Sequence, residues 1–564
     1  MSTRSESSFI VHDIIPLFKD LGYPGAGDHE AVKINDVPVL RPSGGRSGST
    51  MDIVYYHMGE PLLIVESKRK HKSHKAALRE AQAYRKNFPV TEKGYAPSGK
   101  APIFLATTVG DHIQFYKDIF IVKDNQLKQH AEPIEHLKFS DLLEFYGLVA
   151  EFRARKLTAE TFSNEFISEL LRLYDVGGQD KISPELIVKI SMHLTNYLAD
   201  SKKYKHKKPF IDLDDYLLRR KGIADLHRRY DLLGSLGPDI GNAYRRFILR
   251  AFQGTPLNQY LTPQSVICFM LDICKPLVPS SRVIDFECGS GGYLVAAMER
   301  GDIPMENVLG IDIDRKPIIF AKTFLALTLS VTGKHVNNIP LKKGNGLIYD
   351  GRKWDFVIGN PSGSDKYKRR DLDEVLKHLN RDLDQDGRDD RFTEYNFSIQ
   401  QAVRLAKPGG IICLVVPEGL LSNSNDQFLR DFLSRNCKVL AIVSLPRGTF
   451  RKGKTTKAGS TGGQTATMKM NILLAKKIRN KRELPDDYPI FLAQIYDSKT
   501  PREDVDSWLK PKLDLVYEQW LIWNNTGKLR ILEEQLLMRA AASEVKAVHK
   551  KTLFKDPDQQ ELLS

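Results

Sequence analysis

Residues 283–294, VIDFECGSGGYL, decide the fold of the larger part of the chain. An apolar run ends at Asp285, a turn containing Gly289 and Gly291 follows, and an apolar helical segment begins directly after it. Glycines in such a turn let the backbone approach a bound nucleotide closely. From about 262 to 477 apolar strands alternate with helical segments, and this alternation predicts βαβ units in a mostly parallel sheet.

The next two strands of this region end in polar residues. NVLGIDIDR places Asp312 at a strand tip, where a carboxylate can accept hydrogen bonds from ribose hydroxyls. Asp314 is the second candidate, and capping of the following helix is the alternative role for such an aspartate. The strand WDFVIGNPSG, residues 354–363, brings Asn360 and Pro361 to the sheet edge at which open α/β sheets bind ligands. The Asn360 carbonyl could there accept a hydrogen bond from the exocyclic amine of a flipped base.

A second motif, residues 51–68, reads MDIVYYHMGEPLLIVESK and predicts a hairpin centred on Gly59. Asp52 and Glu66 are equally distant from Gly59, so they should face each other across the hairpin. Facing like charges are destabilising, and a divalent cation between them would remove the repulsion. Carboxylate oxygens suit Mg²⁺, so Asp52 and Glu66 are the predicted metal ligands. Lys68 shares a face with Glu66 and could stabilise developing charge. An ordinary hairpin with exposed charges is the alternative.

Residues 8–120 resemble the PD-(D/E)xK nucleases, and among them the N-terminal nuclease domain of type I restriction subunits. The resemblance rests on the hairpin, on an entry helix and on the helix AALREAQAYRKNF after the lysine. The catalytic residues that it implies are Asp52, Glu66 and Lys68. In that family a Gln and a Tyr on the following helix organise the site, and Gln82 and Tyr84 are the nearest match, at a narrower spacing. Glu30 could add an acid and Arg46 a phosphate contact, although a surface charge and a flexible connector are the more typical interpretations.

Residues 235–480 resemble the amino-methyltransferases of type I restriction systems. The segments that carry the likeness are FQGTPLNQYLTPQSVICFML, PGGIICLVVPEGLLSN, SLPRGTF and TATMKMNILLAKK, together with the two motifs described first. The resemblance implies S-adenosylmethionine as cofactor, adenine in DNA as target, and a reaction loop at Asn360 and Pro361. The cofactor-binding residues that it implies are Thr262, Asp285, Gly289, Gly291, Asp312 and Asn345.

The chain departs from that family at the reaction loop. The family has Asn-Pro-Pro followed by an aromatic residue, whereas residues 360–363 read NPSG. Stacking of an aromatic ring on a base contributes roughly 1–3 kcal/mol, and Gly363 cannot provide it. Tyr367 is an alternative aromatic. Phe286 and Glu287 replace small residues, and Asn345 stands where an acid often contacts the cofactor. Methyl transfer is therefore expected to be slow, rescued by another aromatic, or lost.

Composition agrees with a DNA-directed function. The 564-residue chain has a formal net charge of +14, which suits a polyanionic partner such as double-stranded DNA. Its five cysteines form no CxxC pair, so no zinc site is predicted and reduced thiols in a cytoplasmic protein are expected. No apolar run is long enough to suggest a membrane span.

These observations predict an α/β multidomain protein. The predicted parts are a PD-(D/E)xK nuclease domain at 1–150, a helical connector domain at 151–250, a Rossmann-like S-adenosylmethionine-dependent methyltransferase domain at 251–480, and a helical tail at 481–564 that could dock a partner. The architecture resembles the combined subunit of type IIB restriction enzymes, which implies a separate specificity subunit, an oligomeric complex, Mg²⁺ and a place in antiviral defence. Two alternatives stay open: a defence nuclease whose methyltransferase half only binds DNA and S-adenosylmethionine, and a non-catalytic DNA-binding scaffold.

Overall fold

The computed structural model describes the chain in two compact units, one formed by residues 1–253 with 326–336 and the other by 254–325 with 337–564. The described residues are 6–40, 46–57, 60–68, 73–86, 88, 102–123, 126–146, 148, 154–174, 183–200, 223–224, 226–252, 262–361, 366–368, 391–423, 426–450, 469–480, 482, 484–485, 487–495, 505–527 and 543–549. The domain boundaries at 150, 250 and 480 stay predictions.

The first unit combines short strands with helices. Its strands are β1 (Val32–Ile34), β2 (Pro38–Leu40), β3 (Arg46–Thr50), β4 (Ile53–His57), β5 (Glu60–Lys68), β6 (Phe104–Val109), β7 (His112–Lys123), β8 (Gln126–Ile134), β9 (Arg155–Lys156) and β10 (Tyr230–Asp231). Its helices are α1 (Glu6–Phe9), α2 (Ile15–Lys19), α3 (His74–Lys86), α4 (Phe139–Phe145), α5 (Ala159–Thr161), α6 (Ser168–Tyr174), α7 (Pro184–Ala199) and α8 (Pro238–Phe252), with π-helical turns at Ile10–Ile14 and Phe162–Ile167.

The main sheet of this unit has the order β1-β4-β5-β6-β7-β8. β5 and β6 pair in parallel, and α3 lies on the connection between them. The other neighbouring pairs of the sheet are antiparallel. The sheet and helices therefore agree with the α/β fold predicted from alternating apolar residues, although β8 was not predicted.

The two faces of the central hairpin carry different cores. Tyr55 packs with the first helices, whereas Val54 and Ile64 lie in a separate core with residues of α3. Successive side chains of a strand point to opposite faces. Asp52 and Glu66 have the same parity as Val54 and Ile64, so the hairpin delivers both carboxylates to the side of the sheet that α3 covers.

The described residues of the middle region, 154–174, 183–200 and 226–252, are mostly helical and belong to the first unit. α6 and α7 bury apolar residues that recur at helical spacing, among them Leu170, Leu171, Ile187, Ile190 and Leu194. β9 and β10 form a short parallel pair. Residues 201–222 and 225 of the predicted connector lie outside the residues that the structure describes.

The second unit is a larger α/β layer structure. Its strands are β11 (Val283–Asp285), β12 (Val308–Asp312), β13 (Leu341–Lys343), β14 (Trp354–Gly359), β15 (Lys366–Lys368), β16 (Arg391–Thr393), β17 (Ala406–Pro417), β18 (Cys437–Ser444), β19 (Met470–Lys477), β20 (Pro489–Ile495) and β21 (Ser543–His549). Its helices are α9 (Gln264–Ile273), α10 (Gly292–Gly301), α11 (Arg315–Thr328, whose last residues belong to the first unit), α12 (Glu394–Leu405), α13 (Gly419–Ser422), α14 (Gln427–Asn436) and α15 (Val505–Thr526).

The sheet of this unit runs in the order β13-β12-β11-β14-β17-β19-β18-β20-β21. Its first five strands are parallel, and β19 lies antiparallel between β17 and β18. In chain order, β12 and then β13 are added on one side of β11, and β14 is added on the other side. Ligands of open α/β sheets bind at such a switch point, beyond the carboxyl ends of the strands. Asp285, Asp312 and Asn360 lie at those ends of β11, β12 and β14.

The predicted helical tail is helical only in part. α15 forms as expected, but residues 489–495 and 543–549 are strands that extend the sheet as an antiparallel pair, β20 and β21. The apolar run PIFLAQI is buried at most positions, on both faces of the sheet. Such continuous burial favours a strand over a helix. Among the described residues, no helix is both long and apolar enough to cross a bilayer.

Candidate nuclease and cofactor sites

The hairpin β4–β5 has the register predicted from its sequence at the end that carries the acids. Ile53 pairs with Val65 and Val54 with Ile64, and Asp52 and Glu66 come next along the two strands. A bulge between Tyr55 and Tyr56 shifts the register near the turn, away from these acids. Asp52 is fixed in place because its Oδ2 accepts hydrogen bonds from the Ser67 amide at 2.7 Å and from the Ser67 hydroxyl at 2.9 Å.

Glu66 is the most constrained acid of this site. Its side chain is 1% exposed, and Oε1 accepts a hydrogen bond from Lys68 Nζ at 2.5 Å. Oε2 is buried and has no hydrogen-bond partner among the residues that the structure describes. Burial, followed by the negative charge of Asp52, raises the pKa of Glu66 to about 9. A cation between Glu66 and Asp52 would favour the ionised carboxylate and give Oε2 a partner.

Lys68 is held between two acids. Its Nζ also donates a hydrogen bond at 2.7 Å to Oε2 of Glu80, which lies in the middle of α3. Burial acts to lower the pKa of Lys68, but the hydrogen bonds that its ammonium donates to Glu66 and Glu80 outweigh burial and raise that pKa. The ammonium is therefore charged and directed at the Glu66 carboxylate. The sequence reasoning did not identify Glu80, although its spacing of four residues from Tyr84 on one helix was a usable signal.

Gln82 and Tyr84, the two helix residues that the family resemblance suggested, have different surroundings in the structure. Tyr84 packs against the core on the α3 side of the hairpin, the side to which Asp52 and Glu66 point. Burial raises the pKa of Tyr84, and the charges of Glu66, Asp52 and Glu80 raise it further. Gln82 instead donates to Asp118 Oδ1 at 2.7 Å, on a different part of the sheet, and so connects α3 to β7.

Other residues near the hairpin have clear positions. Thr107 of β6 pairs with Glu66, and its hydroxyl lies 2.7 Å from His74 Nδ1 at the start of α3. His74 is a second neighbour of the site that the sequence reasoning did not identify. Glu30 is exposed, as a surface charge would be, and the side chain of Arg46 lies outside the residues that the structure describes. Within the described part of the chain, no group of three or more His, Cys, Asp or Glu side chains could hold a metal ion.

In the second unit, Asp312 joins the glycine turn to the tip of β12. Its Oδ2 accepts from the Gly289 amide at 3.0 Å and its Oδ1 from the Asp314 amide at 2.9 Å. Gly289 and Gly291 both have positive φ angles, +50° and +80°, which glycine adopts without strain. Asp314 Oδ1 accepts from the Lys316 amide, so Asp314 caps α11, the alternative role considered for these aspartates.

Asp285 lies beneath the same turn. It is buried, and burial raises its pKa to about 8, against the hydrogen bond from the Glu287 amide and with the charge of Asp312. A Cβ on Gly359 would lie 2.7 Å from Asp285 Oδ1, so the β14 backbone closes one side of the acid. A buried acid next to a second carboxylate favours a cationic ligand, and S-adenosylmethionine carries positive charge.

An exposed apolar residue completes the edge beside Asp312. Ile313 is 67% exposed although it directly follows a buried strand. An exposed large apolar side chain next to polar binding groups suits the face of a flat aromatic ligand. The sequence reasoning did not single out Ile313, whose signal was an apolar residue between two aspartates.

The reaction-loop residues that the structure describes are Asn360 and Pro361. Asn360 Nδ2 donates to Thr262 Oγ1 at 3.1 Å, so Thr262 and Asn360, predicted for the cofactor and for catalysis, lie together. This bond uses the amide nitrogen and leaves Asn360 Oδ1 as an acceptor. Ser362 and Gly363, as well as the side chain of Tyr367, lie outside the described residues.

Asn345 has a local structural partner. Its Oδ1 accepts from the Leu347 amide at 2.9 Å and caps a short 3-10 turn. Gly346 is pressed against the Phe286 carbonyl, directly below the glycine turn. Glu287, which replaces a small residue of the resembled family, accepts a hydrogen bond from Ser398 at 2.8 Å. These contacts brace the floor of the predicted cofactor site.

Known proteins resemble part of this chain. Residues 237–459 match the family model described as N-6 DNA Methylase. The type II restriction enzyme and methyltransferase RM.BcgI from Heyndrickxia coagulans is 26% identical over 225 residues, 37% of this chain and 32% of that protein. The chain thus spans about a third of the length of this relative.

Solved structures give weaker likenesses. The type I restriction-modification methyltransferase subunit from Streptococcus thermophilus matches with a TM-score of 0.42 and 17% identity, over 72% of this chain and 83% of that chain. The type IIG restriction endonuclease BpuSI matches with a TM-score of 0.43 and 14% identity, over 98% of this chain and 64% of that one. The family match supports an N6 DNA methyltransferase domain at residues 237–459, of the kind present in restriction-modification enzymes.

Proposed function

We propose that this chain is a restriction-modification subunit that combines a Mg²⁺-dependent DNA endonuclease with an S-adenosylmethionine-dependent DNA adenine methyltransferase and works with a separate specificity subunit. The observation that carries the proposal is the meeting of Asp285, Asp312 and Asn360 at one sheet edge, inside the segment that matches N-6 DNA methylases. The nuclease half rests on the opposed acids Asp52 and Glu66 with Lys68.

The residues at the sheet edge fit S-adenosylmethionine. The cofactor supplies an electrophilic methyl group when it is bound. The Asp312 carboxylate is held at the strand tip by two backbone amides, where ribose hydroxyls could reach it. Asp285 lies below with a pKa raised to about 8 by burial, and a bound cationic cofactor would favour its ionised form. Ile313 offers an apolar face for the adenine ring. Asn360 Oδ1 is available to accept a hydrogen bond from the amine of a target base and so orient its nitrogen lone pair.

The hairpin acids fit a divalent cation. Mg²⁺ binds through one or two carboxylates and keeps several waters, so two acids suffice on the protein side. Asp52 and Glu66 would hold it, with the unpartnered Glu66 Oε2 as one donor. When bound, the ion supplies Lewis acidity toward a phosphodiester. Lys68 keeps a positive charge next to the cleavage position because Glu66 and Glu80 both bind its ammonium.

Methyl transfer is tested by incorporation of tritiated methyl groups into DNA of many adenine contexts, with the protein alone and with any specificity subunit encoded beside it. Asn360→Ala should lose incorporation while still binding S-adenosylmethionine in calorimetry. Asp285→Ala should lose cofactor binding itself. Incorporation that survives Asn360→Ala would remove the reaction loop from the proposal.

Cleavage is tested on supercoiled DNA in Mg²⁺, in chelator, and with the same partner. Glu66→Gln keeps the side-chain shape and should abolish cutting, whereas Glu30→Gln, at an exposed acid of the same unit, should cut like the wild type. Undiminished cutting by Glu66→Gln at an unchanged melting temperature would show that the hairpin is not the nuclease site.

A second candidate function is a defence nuclease whose methyltransferase half only binds DNA and S-adenosylmethionine. The NPSG sequence at 360–363 favours it, because this loop lacks the aromatic residue that holds a flipped base. The two functions differ in one result: this candidate requires S-adenosylmethionine binding and cleavage with no methyl incorporation by the complete complex. Replacing Ser362 by Pro together with Gly363 by Phe should then raise incorporation if the rest of the pocket is competent.

A further inference from the structure

The helix α9, which follows Thr262 directly, begins without a cap from its own sequence. The first amide groups of a helix have no acceptor within the helix. Pro263 occupies the N-cap position and makes no side-chain hydrogen bond there. The acceptor comes instead from a residue 241 positions later: Asp506 Oδ1 accepts from the Ser265 amide at 2.7 Å and from the Ser265 hydroxyl at 2.7 Å.

Asp506 is itself firmly placed. It lies in the first turn of α15, and that helix buries Leu509, Leu513, Val516 and Trp520 along one face. The Trp520 ring packs edge-on against Phe491 of β20 at a centroid distance of 5.4 Å. A carboxylate near a helix N-terminus is also favoured by the helix dipole. The helix α15 therefore holds the start of α9 through the Asp506 carboxylate, and the buried face of α15 keeps that carboxylate in place.

The start of α9 is in turn next to the reaction loop. Thr262 lies three residues before Ser265, and its hydroxyl accepts the hydrogen bond from Asn360 Nδ2. In this arrangement Asn360 Nδ2 faces Thr262 Oγ1, and Asn360 Oδ1 lies on the other side of the amide. Asp506 is thus connected to Asn360 by its hydrogen bonds to Ser265, by the short chain segment from Ser265 back to Thr262, and by the bond between Thr262 and Asn360.

We propose that Asp506 is a positioning residue for methyl transfer, which acts by fixing the N-terminus of α9 and thereby the orientation of the Asn360 amide. The inference rests on the proposed methyltransferase activity and adds to it a dependence on the C-terminal helix. A partner or a substitution that moves the first turn of α15 would change turnover without contacting the cofactor or the base.

The test compares Asp506→Ala with Asp514→Ala in the full chain with its partner. Asp514 lies on the same helix, is exposed, and pairs with Lys510 at 2.6 Å, so it controls for the loss of an acid from α15. Asp506→Ala should lower kcat for methyl incorporation by roughly ten- to one-hundred-fold, as misplacement of a reacting group does. The Kd for S-adenosylmethionine should stay unchanged, and Asp514→Ala should behave as the wild type in both. Combining Asp506→Ala with Ser265→Ala should add little, because both substitutions break the same contact.

Hydrogen exchange separates this proposal from the proposed activity. Amides of residues 262–268 should exchange several-fold faster in Asp506→Ala, and not in Asp514→Ala, because only the first substitution removes the acceptor that caps α9. Unchanged exchange there, or an unchanged kcat, overturns the proposal, as does a joint loss of cofactor binding and melting temperature, which would make Asp506 merely structural. If the wild type methylates no DNA, the proposed methyltransferase activity is wrong, and a role of Asp506 in positioning for methyl transfer is wrong with it. Hydrogen exchange then still decides whether Asp506 holds the start of α9.

Discussion

Gly346 marks the tightest backbone contact below the predicted cofactor site. A Cβ built on this residue would lie 1.7 Å from the Phe286 carbonyl oxygen and 2.7 Å from its carbon. Both belong to the backbone that leads into the glycine turn, so neither can move without moving Asp285 or Glu287. Glycine is required at 346 because a Cβ has no room there, and not because the backbone is left-handed.

We therefore expect Gly346→Ala to destabilise the second unit by about 1–3 kcal/mol or more, the usual effect of overpacking. Gly344→Ala is the matched control, because its Cβ would meet nothing within 4 Å. Thermal unfolding and calorimetric S-adenosylmethionine binding are the measurements, and both should worsen only in Gly346→Ala. Equal stability of the two variants would mean that the loop relaxes freely and that Gly346 does not support the turn.

Individual residues of the sites differed in how far the sequence could predict them. Asp52 and Glu66 could be placed opposite each other because strand periodicity and a central turn fix the register by simple counting. The contact of Lys68 with Glu80 could not be counted in this way, since it depends on how α3 packs over the sheet. Asn345 was predicted for the cofactor by analogy, whereas its oxygen is used by a local backbone amide.

Among the elements, α7 carries His193, which forms a buried pair of imidazoles with His227. His193 Nε2 lies 2.9 Å from His227 Nε2, and His193 Nδ1 lies 2.9 Å from the Tyr174 hydroxyl. The Tyr197 ring stacks on His227 at 3.6 Å. Burial lowers the pKa of His193 to about 3, and burial with the neighbouring His193 lowers the pKa of His227. Both rings are thus neutral in the folded state, with one Nε2 donating to the other.

This pair should make the helical region sensitive to acid. Between pH 6.5, the ordinary pKa of histidine, and about 3, the unfolded chain binds protons at His193 that the folded chain does not. Stability therefore falls as the pH falls through this window, by about 1.4 kcal/mol per pH unit for each such proton. His193→Gln cannot be protonated and should give a shallower decline in the urea midpoint from pH 6.5 to 4.

His112→Gln is the control for that measurement, because the His112 side chain is 84% exposed. It should decline with pH as the wild type does. If His193→Gln declines as steeply as the wild type, the buried pair contributes nothing to acid sensitivity. A lower overall stability of His193→Gln is expected from the lost Tyr174 contact and does not affect the comparison of slopes.

The elements also show where sequence patterns stop being sufficient. The alternation of strands and helices predicted β11, β12 and β14, because parallel strands are continuous apolar runs. It did not predict β21, since SEVKAVH has mixed polarity and becomes a strand only by pairing with β20. Order along the chain likewise could not show that β19 inserts between β17 and β18.

At the scale of the whole molecule, charge is the property that the proposed function uses most directly. Lys and Arg number 84 against 70 Asp and Glu, which gives the net charge of +14. A basic protein that neutralises DNA phosphates releases counterions, so its affinity falls linearly with salt on a logarithmic scale. This term is independent of sequence, and it should dominate DNA binding by the chain in the absence of a specificity subunit.

We expect the affinity for double-stranded DNA to fall roughly a thousandfold or more between 50 and 200 mM salt, as for proteins with about six phosphate contacts. Fluorescence anisotropy with two duplexes of unrelated sequence measures the slope, which should be the same for both. Glu66→Gln and Asn360→Ala should keep that slope, because neither removes a cation, even where they abolish the chemistry. An affinity that hardly changes with salt would mean that the positive charge does not serve DNA binding, and the partner of this chain would then have to be sought among molecules other than nucleic acids.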